Sequence, residues 1–367
     1  MKKILFVILG IAIITSNNCN KSSGNDSTKN LTALYLLSKN SVTYTFYSAT
    51  IAANSGTIQT LVTLQNKVFV SYNTQSSTGN NIYTSTDGKT WTNTSYDGVT
   101  AIYDINYING TYYAVGGSKI YSSSDGNTWT LRNTISNTSL YSIAGNSSYL
   151  VVAGSGNSGF LGSISTDQFS TYTNLTNSTN LYISGSSIIS GIKAVVLSSG
   201  AGYIFSTGGG ATICLTSCST SGNWSAYTID SSVSVSTASQ YKGVAMVNNG
   251  TMVYVMGNGN TYYSTGSTTF TKSSQTMPAG YISTTSSGSY FTSYAILNGK
   301  FAFYLAQNGS TYNVYTSSDG NTWSFNTQNV TNQGSGYTVN ALAYLNGIYI
   351  SADTGGKLSY SSTYTIP

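Results

Sequence analysis

The sequence predicts an all-β fold built from seven four-stranded antiparallel units, with six or eight units left open. Three observations carry this: a composition that favours strands, a short motif that recurs along the chain, and a hairpin signal upstream of the recurrences. Only 6% of the 367 residues are charged, against about a quarter in an ordinary soluble domain. All nine acidic residues are Asp, so the Glu–Lys pairs that support exposed helices are missing. Tyr, Thr, Val and Ile are abundant instead, and they suit a pleated, half-buried surface.

The first element of the chain is an export signal. Lys2 and Lys3 form a basic head, and residues 4–14 are an apolar run broken only by Gly10. At about 1.5 Å per residue this run is too short, as a helix, for a hydrocarbon core of roughly 30 Å, so residues 1–18 read as a signal peptide. Basic head, apolar run, Cys19 and the polar residues 20–26 resemble a bacterial lipoprotein precursor, whose Cys is diacylated and becomes the mature N-terminus. Ser16 and Asn18 stand where that family has Leu and Gly or Ala, and ordinary cleavage near Ser16 is the alternative. The resemblance implies a protein exported to the bacterial envelope and anchored to a membrane, expected to be the outer one, through lipid on Cys19. Two acyl chains give stable anchoring where one is marginal. Residues 19–41 read as a polar tether spanning roughly 25–30 Å. The Leu-rich run at 31–37 interrupts it and either packs on the head or lies at the lipid interface.

The repeats occupy residues 42–367. Residues 83–92, 121–130 and 315–324 share the pattern Ser-x-Asp-Gly-x-Thr-Trp, which places Asp87, Gly88 and Trp91, then Asp125, Gly126 and Trp129, then Asp319, Gly320 and Trp323 at matching positions. Degenerate copies end on Tyr172, Trp224, Phe270 and Tyr364, so seven aromatic anchors recur at intervals of 38–53 residues. Upstream, residues 100–108, the pair Asn109-Gly110 and residues 111–115 read as strand, type I′ turn, strand. The pair recurs as Asn249-Gly250, Asn298-Gly299 and Asn346-Gly347, with weaker versions near Gln65-Asn66, Asn146-Ser147 and Gly200-Ala201. Two strands before each motif and two flanking it make four, the content of a β-propeller blade. A solenoid would need capping units, whereas a ring closed by residues 42–48 as an extra strand would not.

Each part of the motif has a physical task. The Asp carboxylate accepts hydrogen bonds from the N–H groups of its own turn, the Gly takes a positive φ, and the Trp supplies apolar surface between neighbouring sheets. The pattern is similar to the Asp-box, or BNR repeat, of sialidase-like propellers, sortilin-type receptors and photosystem assembly factors. The resemblance implies a structural role at the blade rim, away from any ligand site.

Most catalytic chemistries are closed to this chain. Sialidase-like enzymes clamp a carboxylate with three arginines and use a Tyr–Glu nucleophile, but Arg132 is the only arginine here and there is no Glu. The absence of His removes Ser-His-Asp triads, His-containing zinc sites and His general bases. No catalytic residue, metal or cofactor is therefore expected. Aspartates acting in pairs remain available to a glycan-active hydrolase. The candidates are Asp97, Asp104, Asp230 and Asp353, with Asp104 on an expected innermost strand bordering the channel. Lysines are scattered, which argues against a nucleic-acid partner. The 32 tyrosines suit packing between blades first, and contact with glycan or protein second. Cys214 and Cys218 suit a small-loop disulfide in an oxidising compartment, with free buried thiols as the alternative. The expected function is a non-enzymatic envelope scaffold that recognises protein or glycan; the alternatives are an Asp-only hydrolase and a periplasmic assembly factor.

Overall fold

The computed structural model describes residues 41–49, 57–73, 82–94, 101–176, 192–205, 210–229, 243–256, 260–275, 294–307, 311–331, 339–353 and 356–361. Cys19, the tether up to residue 40, Asp97, Asp230 and Tyr364 lie outside them. Twenty-eight strands are present among the described residues, and residues 42–367 form one compact unit.

The first strand, β1 (Ser41–Ser48), stands apart in sequence from its sheet. Blade one is β2 (Thr57–Leu64), β3 (Lys67–Asn73), β4 (Ile82–Ser85) and β5 (Thr92–Asn93). Blade two is β6 (Asp104–Ile108), β7 (Thr111–Gly116), β8 (Lys119–Ser123) and β9 (Thr130–Thr134). Blade three is β10 (Thr138–Gly145), β11 (Leu150–Gly156), β12 (Phe160–Ser165) and β13 (Thr173–Thr176). Blade four is β14 (Lys193–Val196), β15 (Gly202–Phe205), β16 (Gly210–Cys214) and β17 (Ser225–Thr228). Blade five is β18 (Gly243–Asn248), β19 (Thr251–Met256), β20 (Thr261–Ser264) and β21 (Thr271–Lys272). Blade six is β22 (Tyr294–Leu297), β23 (Lys300–Gln307), β24 (Thr311–Ser317) and β25 (Ser324–Thr331). Blade seven begins with β26 (Val339–Leu345), β27 (Ile348–Asp353) and β28 (Leu358–Ser361).

The fold is a seven-bladed β-propeller of four-stranded antiparallel blades. The first strand of each blade touches the first strand of the next, and β26 returns to β2, so the ring is closed with the first strands innermost. Blade seven takes its fourth strand from the other end of the chain: β1 pairs antiparallel with β28, setting Phe46 opposite Ser361 and Ser48 opposite Ser359. This strand also neighbours β25, which merges blades six and seven into one eight-stranded sheet.

Six apolar clusters lie one at each interface from blades seven–one round to blades five–six. Middle strands such as β4, β12 and β16 are buried on both faces, because a neighbouring blade covers each side. Their sequences therefore lack the alternation of a one-sided sheet. Fourth strands such as β5, β9 and β17 are mostly exposed and polar. The Asn-Gly turns that join first and second strands have positive φ at both residues, for example 48° and 82° at Asn109-Gly110, as type I′ geometry requires.

Candidate functional site

Three equivalent turns join third and fourth strands in blades one, two and six. Asp87 Oδ1 accepts from the Lys89 and Thr90 N–H groups at 2.8 Å and from the Ser85 hydroxyl at 2.9 Å, while Ser85 Oγ accepts from Gly88 N at 2.8 Å. Asp125 repeats this with Asn127, Thr128 and Ser123, and Asp319 with Asn321, Thr322 and Ser317. Burial pushes the Asp87 carboxyl up, but the Thr90 and Lys89 N–H donors and the Ser85 and Thr90 hydroxyls outweigh it and leave the carboxyl below its ordinary value. Asp125 and Asp319 are held low chiefly by the Thr128 and Thr322 N–H groups respectively. Gly88, Gly126 and Gly320 have φ of 70°, 76° and 79°. Each Trp packs against the preceding blade: Trp91 on blade seven, Trp129 on blade one and Trp323 on blade five.

Blade three departs from this plan by one residue. Phe169 N, four residues on, donates to Ser165 Oγ at 2.7 Å, and Thr171 N, four residues after Asp167, donates to its carboxylate at 2.9 Å. The regular turns close both bonds over three residues. Gln168 is the insertion, at φ 59°, and Phe169 occupies the glycine position at φ 65°. Holding non-glycine residues there costs roughly 1–2 kcal/mol each. The Thr171 N–H and hydroxyl hold the Asp167 carboxyl below its ordinary value. The insertion corrects the expected anchor. Tyr172, in the tryptophan position, is 37% exposed, and Phe169 is fully buried against blade two in its place.

The first turn of blade three is irregular too. Where blades two, five, six and seven have Asn-Gly, it has Asn146-Ser147-Ser148, held by Asn146 Oδ1 accepting from Ser148 N at 2.8 Å and Tyr149 N at 3.2 Å. Both irregular turns face Asn109 of blade two across a cleft of about 120 Å³ floored by Tyr113 and Tyr149.

Asp104 is the first residue of innermost strand β6, but it is buried and paired rather than solvated. Its carboxylate accepts from Lys193 Nζ at 2.9 and 3.0 Å, from the Ser142 hydroxyl at 2.8 Å and from Ile143 N at 3.0 Å. Ser142 Oγ in turn accepts from Ala194 N at 3.1 Å. One carboxylate thereby ties blades two, three and four. In blade four Cys214 and Cys218 form a disulfide with Cα atoms 5.6 Å apart, and Cys218 O accepts from Trp224 Nε1 at 2.9 Å. A covalent link there fixes the reversal that an Asp turn fixes in blades one, two and six. Asp353 lies in β27, and its side chain is outside the described set. Among the described residues no group of three or more Cys and Asp side chains is placed to hold a metal ion. No helix among them is long and apolar enough to cross a membrane.

The sequence reading found the regular turns and missed the cleft. The signal was present as the non-Gly residue after Asp167 and the Ser-Ser pair after Asn146, both departures from the commonest form of the repeat.

Comparison with known proteins adds to the geometry. Residues 40–188 match the DUF6242 beta propeller domain. No curated protein matches the chain. Among solved structures, a catalytically inactive virginiamycin B lyase from Staphylococcus aureus with quinupristin is similar at a TM-score of 0.59 and 12% identity, covering 88% of this chain and 100% of the lyase. YCF48 bound to D1 peptide is similar at 0.51 and 12% identity, covering 88% and 95%. The extracellular domain of the two component system BT4673 from B. thetaiotaomicron is similar at 0.55 and 12% identity, covering 88% of this chain and 40% of that one. At these identities the likeness is one of fold.

Proposed function

We propose that this propeller is a recognition or assembly scaffold of the bacterial envelope, exported and held by lipid at Cys19, that binds protein or glycan without catalysing a reaction. The observation that carries the reading is the employment of the acidic side chains. Asp87, Asp125, Asp167 and Asp319 hold turns, and Asp104 holds three blades together. With no His and no Glu in the chain, carboxylate acid–base catalysis falls to aspartates. These five already carry structural hydrogen bonds. The reading calls for no cofactor and no nucleic acid. The YCF48 structure, with its D1 peptide, supports a propeller of this kind as a peptide receptor, and the BT4673 extracellular domain supports a place outside the cytoplasm. A periplasmic assembly factor is the form of this reading in which the partner is a protein.

The full chain is to be tested on a glycan array, in pull-downs from envelope membranes and against chromogenic glycosides. Capture without turnover is expected. Turnover that disappears in Asp97→Asn, Asp230→Asn or Asp353→Asn without a change in melting temperature would establish the Asp-only hydrolase instead. A fatty-acid analogue fed to cells is expected to label the wild type and not Cys19→Ala; equal labelling removes the anchor from the proposal.

A further inference from the structure

The cleft between blades two and three stands out because the repeat breaks its own rules there twice. A ring of equivalent turns needs no insertion to stay closed: blades one, two and six close the third-to-fourth-strand turn with a Gly at positive φ. Blade three instead inserts Gln168 at φ 59° and forces Phe169 to 65°. The same blade replaces the Asn-Gly of its first turn with Ser147-Ser148, capped by Asn146 Oδ1 accepting from Ser148 N. Both departures line one cleft, and Gln168-Phe169 is the one place among the described residues where two successive non-glycine residues take positive φ, a local strain that points to local function.

We propose that this cleft is a subsite for one neutral saccharide unit, an inference that rests on reading the propeller as a recognition module. Asn109, Ser147, Ser148, Thr166 and Gln168 are exposed side chains at its wall, and no charged residue lines it. Amides and hydroxyls both donate and accept, which matches a ring of sugar hydroxyls, each also donor and acceptor. An ionic ligand would find no counter-charge. A peptide bound by strand addition needs an open strand edge, while these walls are turns. At about 120 Å³ the cleft is smaller than the roughly 300–1,000 Å³ of a drug-sized pocket, which suits a single ring bound at millimolar strength. The floor is rigid: Tyr113 and Tyr149 are buried, and the Tyr149 hydroxyl donates to Gly200 O at 3.0 Å.

The test is saturation-transfer NMR on the full chain with methyl glucoside, galactoside, mannoside and N-acetylglucosaminide at millimolar concentration. Wild-type protein is expected to give a signal with at least one glycoside, weakened about tenfold or more in Gln168→Gly and in Thr166→Ala. Gln65→Gly serves as control, because Gln65 is an exposed turn residue at φ 54° on blade one, away from the cleft. An unchanged signal in Gln168→Gly overturns the subsite. So does the absence of signal from every glycoside; if a protein is then still captured from membranes, the recognition reading stands without the subsite, and if nothing is captured both fall.

Discussion

At the scale of single residues, blade two can be set against blade three. Trp129 is 5% exposed and wedged on Phe69 with ring centroids 6.3 Å apart, whereas Tyr172 at the matching position is 37% exposed. Trp129→Ala is expected to cost about 3–5 kcal/mol, a large part of a typical 5–15 kcal/mol stability, and Tyr172→Ala well under about 1 kcal/mol. Urea unfolding of the two variants measures the contrast; equal losses would contradict the reassignment of the anchor to Phe169. The regular tryptophans were legible because their motif repeats nearly word for word. Phe169 was not, since a one-residue insertion changes which side chain turns inward without changing composition or spacing enough to signal it. The turn carboxylates add a pH dependence. Asp87, Asp125, Asp167 and Asp319 have folded-state pKa values below the ordinary value, so each contributes stability that is present above its unfolded pKa. That stability is lost as pH falls through the lower, folded value. Unfolding midpoints are expected to be flat from pH 7 to about 5 and to drop below about pH 4. Asp125→Asn is expected to shallow the acid arm, and an identical arm would remove Asp125 from the account.

At the scale of elements, two glycines separate two sources of cost. Gly110 sits in the β6–β7 turn at φ 82°, and a Cβ there would meet nothing within 4 Å. Gly126 has φ 76°, and its Cβ would come within 2.7 Å of the Phe69 ring in blade one. Gly110→Ala therefore tests backbone conformation alone and is expected to cost about 1–2 kcal/mol. Gly126→Ala adds overpacking and is expected to lose about 1–3 kcal/mol more. Thermal melts of both variants check the order; a Gly110 cost equal to that of Gly126 would mean the blades yield freely at their interface. The hairpins were legible for the same reason, since Asn-Gly selects type I′ geometry locally. The Asp104–Lys193 pair was illegible because it joins residues 89 apart in sequence, brought together only when first strands assemble round the channel.

At the scale of the whole molecule, seven was legible from the count of anchors, and closure from the strand expected at residues 42–48. What makes the ring cooperate is that its apolar clusters lie between blades, so no blade buries its faces alone. Deleting residues 41–48 leaves β28 as an open edge, and such edges invite pairing with other chains. The shortened protein is expected to melt lower by roughly 5 °C or more and to elute as larger species in size-exclusion chromatography; a monomer of unchanged stability would show that β1 is dispensable. The same clasp sets a clock. Phe46 meets Ser361 across the last seam, yet the ribosome makes the first long before the second. At about 5–20 residues per second the interval is on the order of 15–60 s, during which β1 lacks its partner β28. A chain cut short before its final blade has no β28, and that seam cannot close.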